Sequence, residues 1–425
     1  MTADTIFALS SGTPPAAVAV VRISGPRADE ALERLAGRLP APRTASLVIL
    51  RGAGEALDRA LALRFPGPGS ATGDDVAELH LHGGRAVVSA VLEALGAITG
   101  LRPAEPGEFT RRAFENGRID LAEAEGLADL LAAETQSQRR AALAVAGGVL
   151  SRQVEAWRQR VLELAAALEA ALDFSDEGEV GEAWPPWWRE GVEGLATEVG
   201  ALLARPPAER LRDGLRIVIS GPPNAGKSSL FNALAQRDAA ITSSIPGTTR
   251  DLIEAPVAIA GLPLVFVDTA GLRESDDEIE ALGVVRARSA LDSADLLLWL
   301  GDPQSAPRSA PVIRVQTKAD LPILDNGADI RVSAVSGTGI DRLVALLVER
   351  GRDLLPAEGE VAANARQRSA LASAHHSLEE AAMANDMLIC GEALRYARTE
   401  FDRLLGRAGV EDMLDALFGR FCIGK

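Results

Sequence analysis

The sequence predicts a multidomain protein of the α/β plus α class. It has an N-terminal α/β domain, an α-helical domain in two separate segments, and a second α/β domain inserted between those segments. Three observations predict this. The chain has 425 residues, which is more than one ordinary hydrophobic core contains. Short apolar runs alternate with helical patterns in two stretches, and Ala- and Leu-rich helical patterns fill two others. A loop of the pattern G-x-x-x-x-G-K-S stands between an apolar strand and a helix near the middle of the chain.

The domain boundaries are predicted where these patterns change. The N-terminal α/β domain takes residues 1–118, the first helical segment 119–210, the inserted domain 211–356 and the second helical segment 357–425. A domain can be inserted where its two ends lie close together. We therefore expect the second helical segment to pack back against the first.

The composition is that of a soluble globular protein, with 47% hydrophobic and 24% charged residues. No apolar stretch reaches the length of a membrane span, so no membrane association is expected. The two cysteines, Cys390 and Cys422, do not suggest a disulfide framework, which favours a cytoplasmic location. The net charge of −16 argues against a protein that coats nucleic acid non-specifically, although one structured RNA can bind through a local basic patch.

The N-terminal stretch alternates strands and helices. Strands are predicted over 16–23, 47–51, 60–65 and 77–82, and helices up to residue 39 and over 85–95. Glu78, His80 and His82 share one face of their strand. These side chains permit a metal site, but alternate residues on a flat strand rarely close one alone, so a polar ligand face is favoured.

The helical segments follow the spacing of their apolar residues. From Ile119 this spacing predicts helix to about Leu172, broken at Gly147–Gly148, and a further helix runs from Trp188 to Ala204.

The central loop runs from Gly221 to Ser228 and reads as a P-loop. Its glycines let backbone N–H groups converge on phosphate oxygens, and the helix N-terminus adds partial positive charge. Lys227 is expected to reach the β- and γ-phosphates, and Ser228 to hold Mg²⁺. Only three of the 44 basic residues are lysines, so the chain uses arginine for most of its cations. The lysine at position 227 therefore indicates a place where a compact ammonium fits better than a guanidinium. A plain glycine-rich turn is the alternative.

Further nucleotide motifs follow in order along the chain. Ser243–Asp251 is similar to a switch I loop, in which Thr249 completes the Mg²⁺ coordination. The strand Val265–Val267 leads into Asp268–Gly271, whose carboxylate reaches Mg²⁺ through water while the glycine N–H meets the γ-phosphate.

Base recognition is predicted at the stretch Thr317-Lys318-Ala319-Asp320, where guanine-specific proteins have N-K-x-D. The Asp320 carboxylate accepts hydrogen bonds from guanine N1–H and the 2-amino group, which adenine cannot offer. Thr317 replaces the usual Asn, which we expect to weaken one contact to the base and the adjoining loops. The predicted GTP contacts are Asn224, Ala225, Gly226, Lys227, Ser228, Ser229, Ser243, Ser244, Ile245, Pro246, Gly247, Thr248, Thr249, Asp268, Thr269, Ala270, Gly271, Lys318, Asp320, Ser333 and Ala334.

Leu272 occupies the position of the usual catalytic glutamine, so water activation must use another group. The side-chain oxygen of Asn224 can ligate a monovalent cation beside the phosphates, in place of an arginine finger. A loop-capping role of Asn224 is the alternative.

Motifs at both ends give the chain a resemblance to the MnmE (TrmE) family of bacterial tRNA-modification GTPases. They are Asp4–Ile6, Val21–Gly25, Pro106–Phe114, Leu121–Glu125, the P-loop with Pro223 and Asn224, Asp268–Glu274, and the terminal Phe421–Lys425. The terminal Phe-Cys-Ile-Gly-Lys is far more selective than the GTPase motifs.

The resemblance implies a tetrahydrofolate-binding N-terminal domain that also forms a homodimer, and a Ras-like P-loop GTPase domain inserted in the helical domain. It implies K⁺-stimulated GTP hydrolysis through dimerisation of the G domains. It also implies a flavin-dependent partner of the MnmG type, in a heterotetramer or larger complex. Together they add a carboxymethylaminomethyl-type group to C5 of the wobble uridine of certain tRNAs, with 5-formyl-tetrahydrofolate or a related folate as the associated one-carbon donor.

The resemblance also assigns residues to these roles. The implied folate contacts are Arg22, Glu78, Arg118 and Lys425. The implied K⁺ ligands are Asn224, Ser243, the carbonyl of Ile245, and Thr248. Glu280 corresponds to an acid that orients water, and Cys422 to a reactive thiol, for which plain packing is the alternative.

Two other functions stay open. One is a GTP-dependent ribosome-assembly or signalling switch without tRNA-modifying activity, which would need an RNA-binding domain where the helical tail stands. The other is a folate-dependent one-carbon enzyme that its GTPase domain regulates, without tRNA.

Overall fold

The computed structural model describes residues 4–173, 186–236, 253–268, 289–308, 310–322, 326–357, 359–408, 411–419 and 421–424. The chain divides into two compact units, Met1–Ala128 with Asp402–Lys425, and Asp129–Phe401. The division into four segments predicted from the sequence stays a prediction.

The secondary structure of the described residues is as follows. The strands are β1 (Thr5–Leu9), β2 (Val18–Ser24), β3 (Ser46–Gly52), β4 (Glu55–Phe65), β5 (Val76–His82), β6 (Leu101–Pro103), β7 (Leu215–Ser220), β8 (Ile253–Ile259), β9 (Leu262–Asp268), β10 (Leu296–Trp299), β11 (Val312–Gln316) and β12 (Ile330–Arg331). The α-helices are α1 (Ala28–Ala36), α2 (Arg85–Gly96), α3 (Glu108–Glu115), α4 (Leu121–Ala132), α5 (Gln136–Ala146), α6 (Val149–Asp173), α7 (Trp188–Leu203), α8 (Ala208–Arg212), α9 (Lys227–Ala235), α10 (Ile340–Leu354), α11 (Ala365–Met383), α12 (Met387–Leu404) and α13 (Glu411–Phe418).

The first unit is built on a sheet of order β3-β4-β5-β2-β1-β6. Side chains alternate along a strand, so β2 and β5 send Val21, Ile23 and Leu79 into the core that α1 and α2 complete. The other face carries Arg22 and Glu78, which lie directly opposite each other in the antiparallel β2–β5 pair. The same register therefore builds the core and places a charged pair on the opposite face.

A charge network fastens α3 to this sheet. Glu108 accepts hydrogen bonds from Arg102 Nη1 at 2.8 Å and from Arg112 Nη2 at 3.1 Å, and Arg112 also reaches Asp4 Oδ1 at 3.0 Å. Burial opposes ionisation of Glu108, but hydrogen bonds from Arg102 and Arg112 outweigh it and hold the pKa of Glu108 below its usual value. The charges of the Pro106–Phe114 motif therefore have a structural use.

The C-terminal stretch belongs to the first unit. The ring of Phe418 lies 6.2 Å from that of Phe114 and 6.1 Å from that of Phe421, measured between ring centroids. These rings cluster with Leu121 of α4. Phe418 and Phe421 are buried and Phe114 is partly buried, so these ring contacts stabilise the position of the short segment.

The second unit contains a sheet of order β12-β11-β10-β7-β9-β8, parallel except for the antiparallel β8–β9 pair. Helices α9 and α10 contribute side chains to the core of this sheet. The near-continuous apolar runs of its strands are typical of parallel sheets that helices cover. The carboxyl ends of the parallel strands meet at one edge of the sheet, which is where α/β proteins bind ligands.

The helices of the second unit pack alongside one another. Helix α7 contacts α11 and α6, and Trp188 Nε1 donates to Leu164 O at 2.8 Å. Helix α11 begins at a capping box in which Asn364 and Gln367 bond each other's backbone N–H groups. In the ranges that the structure covers, no helix has the length and apolar character needed to cross a membrane.

Candidate functional site

The P-loop curls between β7 and α9. Gly226, the last residue before the helix, has φ 90°, which glycine adopts without steric cost. Asn224 also has positive φ, 63°. Lys227 is the first helical residue and is 9% exposed, and its Nζ donates to Gly221 O at 3.2 Å and Pro222 O at 3.0 Å. The ammonium is therefore held within the curl, beside backbone N–H groups of the kind that bind phosphate.

Oxygen donors lie near this loop. Ser228 and Ser229 are exposed in the first turn of α9. Asp268 ends β9, opposite Ile219 in the parallel pairing with β7, and is 2% exposed. A hydroxyl and a carboxylate are donors that Mg²⁺ accepts, so the residues present fit this ion.

The base-recognition residues follow β11 and β12 at the same edge. Ala319 N donates to Val332 O at 3.0 Å, which holds the two loops together. A hydrogen bond from the buried Ser333 holds the pKa of the exposed Asp320 carboxyl below its usual value. Asp320 is therefore kept ionised as an acceptor, and Ala334 lies beside Ser333 in the adjoining loop.

Thr317 makes a contact that the sequence reasoning missed. Its Oγ1 donates to the carbonyl of Ala225 in the P-loop at 2.6 Å. Lys318, the next residue, has φ 60°. Threonine carries a hydroxyl donor where asparagine would carry an amide donor, so the sequence did indicate a hydrogen-bond donor at this position. Its acceptor could not be predicted, because Ala225 lies 92 residues away in the chain.

A second polar cluster lies on the face of the first sheet opposite the core that α1 and α2 complete. Arg22 donates to Glu78 Oε1 from Nε at 2.9 Å and from Nη2 at 2.8 Å, and both side chains are half-buried. His80 Nε2 lies 3.5 Å from Glu78 Oε2, and the Arg22 guanidinium lies 5.7 Å from the Phe109 ring centroid. A carboxylate and a guanidinium suit a ligand that has N–H groups and negative charge.

The structure brings Arg22 and Glu78 together, whereas Arg118 is exposed in the turn after α3. His82 pairs with Asp58 at 2.7 Å instead of joining Glu78 and His80. Over the described ranges, no group of three or more His, Cys, Asp or Glu side chains is placed to hold a metal ion.

The chain end lies against β1. Ile423 forms a β-bridge with Pro106, and Gly424 has φ 99°. A Cβ on Gly424 would lie 2.2 Å from Leu9 O, so only glycine fits this close approach. Because Ala8 of β1 lies opposite Arg22, the chain end runs next to the strands that carry the second cluster. The thiol of Cys422 is free and exposed.

Several predicted site residues lie outside the described residues: Ser243, Ser244, Ile245, Pro246, Gly247, Thr248, Thr249, Thr269, Ala270, Gly271, Glu280 and Lys425.

Comparison with known families and proteins decides the family. The chain matches the model of the MnmE helical domain over residues 121–422 and that of the GTP-binding protein TrmE N-terminus over residues 5–118. It is 58% identical over 424 residues to the tRNA modification GTPase MnmE of Erythrobacter litoralis, covering 99% of this chain and 100% of that protein.

The chain belongs to the MnmE family. The MnmE of Rhizorhabdus wittichii is 59% identical over 428 residues, covering 99% of this chain and 97% of the relative. The MnmE of Novosphingobium aromaticivorans is 54% identical over 435 residues, covering 99% and 100%. Membership of the MnmE family confirms the resemblance inferred from the motifs, and it confirms the prediction that the chain is a GTPase.

Proposed function

We propose that this chain hydrolyses GTP and, with a flavin-dependent partner of the MnmG type, adds a carboxymethylaminomethyl-type group to C5 of the wobble uridine of certain tRNAs. The proposal rests on its 58% and 59% identity, over 99% of its length, to proteins named tRNA modification GTPase MnmE. The work is proposed to take place in the cytoplasm, in a complex that contains a homodimer of this chain.

The nucleotide is proposed to bind across the carboxyl edge of the second sheet. Lys227, held in the curl of the P-loop, pairs with the phosphates, and Asp320 accepts hydrogen bonds from guanine. Mg²⁺, which Ser228 and Thr249 would hold, supplies neutralising charge when bound.

Hydrolysis is proposed to depend on K⁺ and on dimerisation of the G domains. Asn224 offers a side-chain oxygen from an exposed position in the P-loop. The remaining proposed K⁺ ligands are Ser243, the Ile245 carbonyl and Thr248. Glu280 is proposed to orient the attacking water, a role that the usual glutamine cannot perform here because Leu272 replaces it.

The Arg22–Glu78 pair is proposed to bind a folate such as 5-formyl-tetrahydrofolate. The Glu78 carboxylate can accept hydrogen bonds from the 2-amino group and ring N–H of the pterin, and Arg22 can pair with the ligand's negative charge. Arg118 and Lys425 are proposed as further cationic contacts, and Cys422 as a reactive thiol, which the free and exposed state of its sulfur permits.

Replacing Glu78 with Gln is expected to raise the Kd for 5-formyl-tetrahydrofolate by about 10- to 100-fold. The amide offers one acceptor oxygen instead of two and turns a donor toward the pterin N–H groups. Calorimetric titration measures the effect. Glu55→Gln, which changes an exposed residue of the same sheet, is the matched control and should bind as wild type does. Equal affinity in the two variants would place the folate elsewhere.

The proposed function is tested on tRNA from cells that lack the gene. Mass spectrometry of nucleosides is expected to show wobble uridines without the C5 group, and restoring the gene should return the modification. Restoring a Lys227→Ala variant should not, because the reaction is proposed to need GTP hydrolysis. Unchanged wobble uridines in the deletion cells would reject the proposal and favour a switch or a folate enzyme without tRNA.

A further inference from the structure

We propose that a hollow on the second sheet, beside the amino end of β11, binds the phosphate backbone of tRNA through Arg308 and Arg314. The inference rests on the proposed action on tRNA. It goes beyond that action by placing an RNA contact on this chain, on a surface separate from the edge of the sheet where the nucleotide is proposed to bind.

The hollow lies where a crossover helix would normally cover the sheet. The strands β10 and β11 are parallel neighbours, and such strands are usually joined by an α-helix. The described residues of this connection contain a single 3₁₀ turn, Pro303–Ser305, as their helical element. The core on this face of the sheet includes Leu297 of β10 and extends as far as Val312, which is partly buried. Beside Val312 the structure has a hollow of about 640 Å³.

The wall of the hollow is fixed by its own loop. The Asp302 carboxylate accepts a hydrogen bond from Gln304 N at 3.0 Å, and the Asp302 carbonyl accepts one from Trp299 Nε1 at 2.9 Å. Pro303 and Pro307, whose rings restrict φ, also line the hollow. The wall is therefore formed before a ligand arrives, which lowers the cost of binding.

The charge of the hollow is opposite to that of the chain. The charged residues among those described as lining it are Arg308 and Arg314, whereas the whole chain has a net charge of −16. Arg308 is exposed and makes no hydrogen bond or ion pair with another described residue. Arg314 Nη1 lies 3.5 Å from Asp329 Oδ1, which leaves its other donors available to a ligand. An acidic polymer is therefore attracted to this place and repelled by most of the surface.

The lining favours RNA over a protein partner. A guanidinium pairs with a phosphate through two parallel N–H groups. The other described residues of the lining are proline, alanine, valine, glutamine and glycine, so it lacks the aromatic anchors on which protein interfaces depend. A peptide strand is not expected to add to this edge of β11, because Arg314 N already donates to Asp329 Oδ2 at 2.8 Å.

The position of the hollow allows tRNA and GTP to bind at the same time. Arg314 stands three residues before Thr317, which is about 10 Å along an extended chain, and the base-recognition residues follow Thr317. A neighbouring hollow between β11 and α10 contains Asp329 and Glu349 as well as arginines. Because its charge is mixed, it is not part of the proposed site.

The test is the affinity of the full chain for a tRNA transcript that has uridine at the wobble position. The double variant Arg308→Gln/Arg314→Gln is expected to raise the Kd about tenfold. The slope of log affinity against log salt concentration should fall in magnitude by about 1 to 2, because two phosphate contacts are lost. Arg34→Gln/Arg395→Gln, which makes the same change in net charge at exposed positions of α1 and α12, is the matched control and should bind as wild type does.

Two further variants separate loss of charge from loss of structure. Arg308→Lys/Arg314→Lys keeps both charges, so it should keep the wild-type salt slope and a Kd within about threefold of wild type. Arg308→Gln alone removes a side chain without a described contact and should raise the Kd about threefold. Fluorescence anisotropy with labelled tRNA gives these constants, and thermal unfolding checks that each variant folds.

A double glutamine variant that binds tRNA as the control does would overturn the inference, and the hollow would then have to serve a different partner. A lysine variant with the salt slope of the glutamine variant would overturn it as well, because charge would not be what binds. If wild type bound no tRNA, the RNA contact would be rejected, whereas mass spectrometry of wobble uridines would still decide the proposed function.

Discussion

Replacing Lys227 with alanine is expected to lower kcat/KM for GTP hydrolysis by about 10²- to 10³-fold. The amino group lies 3.2 Å and 3.0 Å from the carbonyls of Gly221 and Pro222, so it is already placed within the P-loop curl. Charge develops on the transferred phosphoryl oxygens during cleavage, and a fixed cation stabilises it without reorganisation. The measurement is phosphate release in potassium buffer.

The matched control is Arg350→Ala, which removes an exposed cation from α10 of the same unit. It should hydrolyse GTP as wild type does. Lys227→Arg should resemble the alanine variant, because a planar guanidinium does not replace a compact ammonium among phosphates. Thermal unfolding reports whether loss of the two carbonyl contacts loosens the loop. A Lys227→Ala variant as active as Arg350→Ala would contradict the assignment of the P-loop.

The sequence predicted the conformation of the P-loop well because the information for it is local. The P-loop requires a strand, a bend and a helix within a dozen or so residues, and the structure has β7, positive φ at Asn224 and Gly226, and α9 in that order. The Asp320–Ser333 pair was reached only as two separate motifs. Their hydrogen bond depends on β11 and β12 lying side by side in a parallel sheet, which no local pattern states.

Local patterns were less informative where helix-forming residues stand on both sides of a helix cap. The helix predicted from Ile119 to Leu172, with one break at Gly147–Gly148, has a further interruption before α5, because Thr135 caps a new helix in a box with Gln138. Alanine and leucine continue on both sides of this cap and conceal it. The strands β1 and β8 were also missed.

Contacts between distant residues were beyond the sequence reasoning. The charges of the Pro106–Phe114 motif were visible, but the bonds from Arg102 and Arg112 to Asp4 depend on β6 lying beside β1. The tie between Thr317 and Ala225 is of the same kind. A threonine in place of asparagine predicted a weaker contact, which stays a prediction, but the P-loop carbonyl that accepts from the hydroxyl was not predicted.

Exchanging Asp320 for asparagine is expected to change the base preference from GTP to XTP, with a loss of about 10²- to 10⁴-fold in kcat/KM for GTP. Guanine presents N–H donors at N1 and at the 2-amino group, which a carboxylate accepts. Asparagine has one acceptor and one donor, and this arrangement matches the N–H and 2-oxo group of xanthine. Asp353→Asn, which changes an exposed residue of α10, is the matched control and should keep the preference for GTP.

The same preference should depend little on pH in wild type. The hydrogen bond from Ser333 lowers the pKa of Asp320, so the carboxylate stays ionised down to pH values below the ordinary aspartate pKa of about 3.9. Removing the donor with Ser333→Ala should move that pKa upward, so that guanine affinity is lost at a higher pH as acid is added.

Hydrolysis of GTP, ITP and XTP by each variant measures the preference. An Asp320→Asn variant that still selects GTP over XTP would show that another residue reads the base.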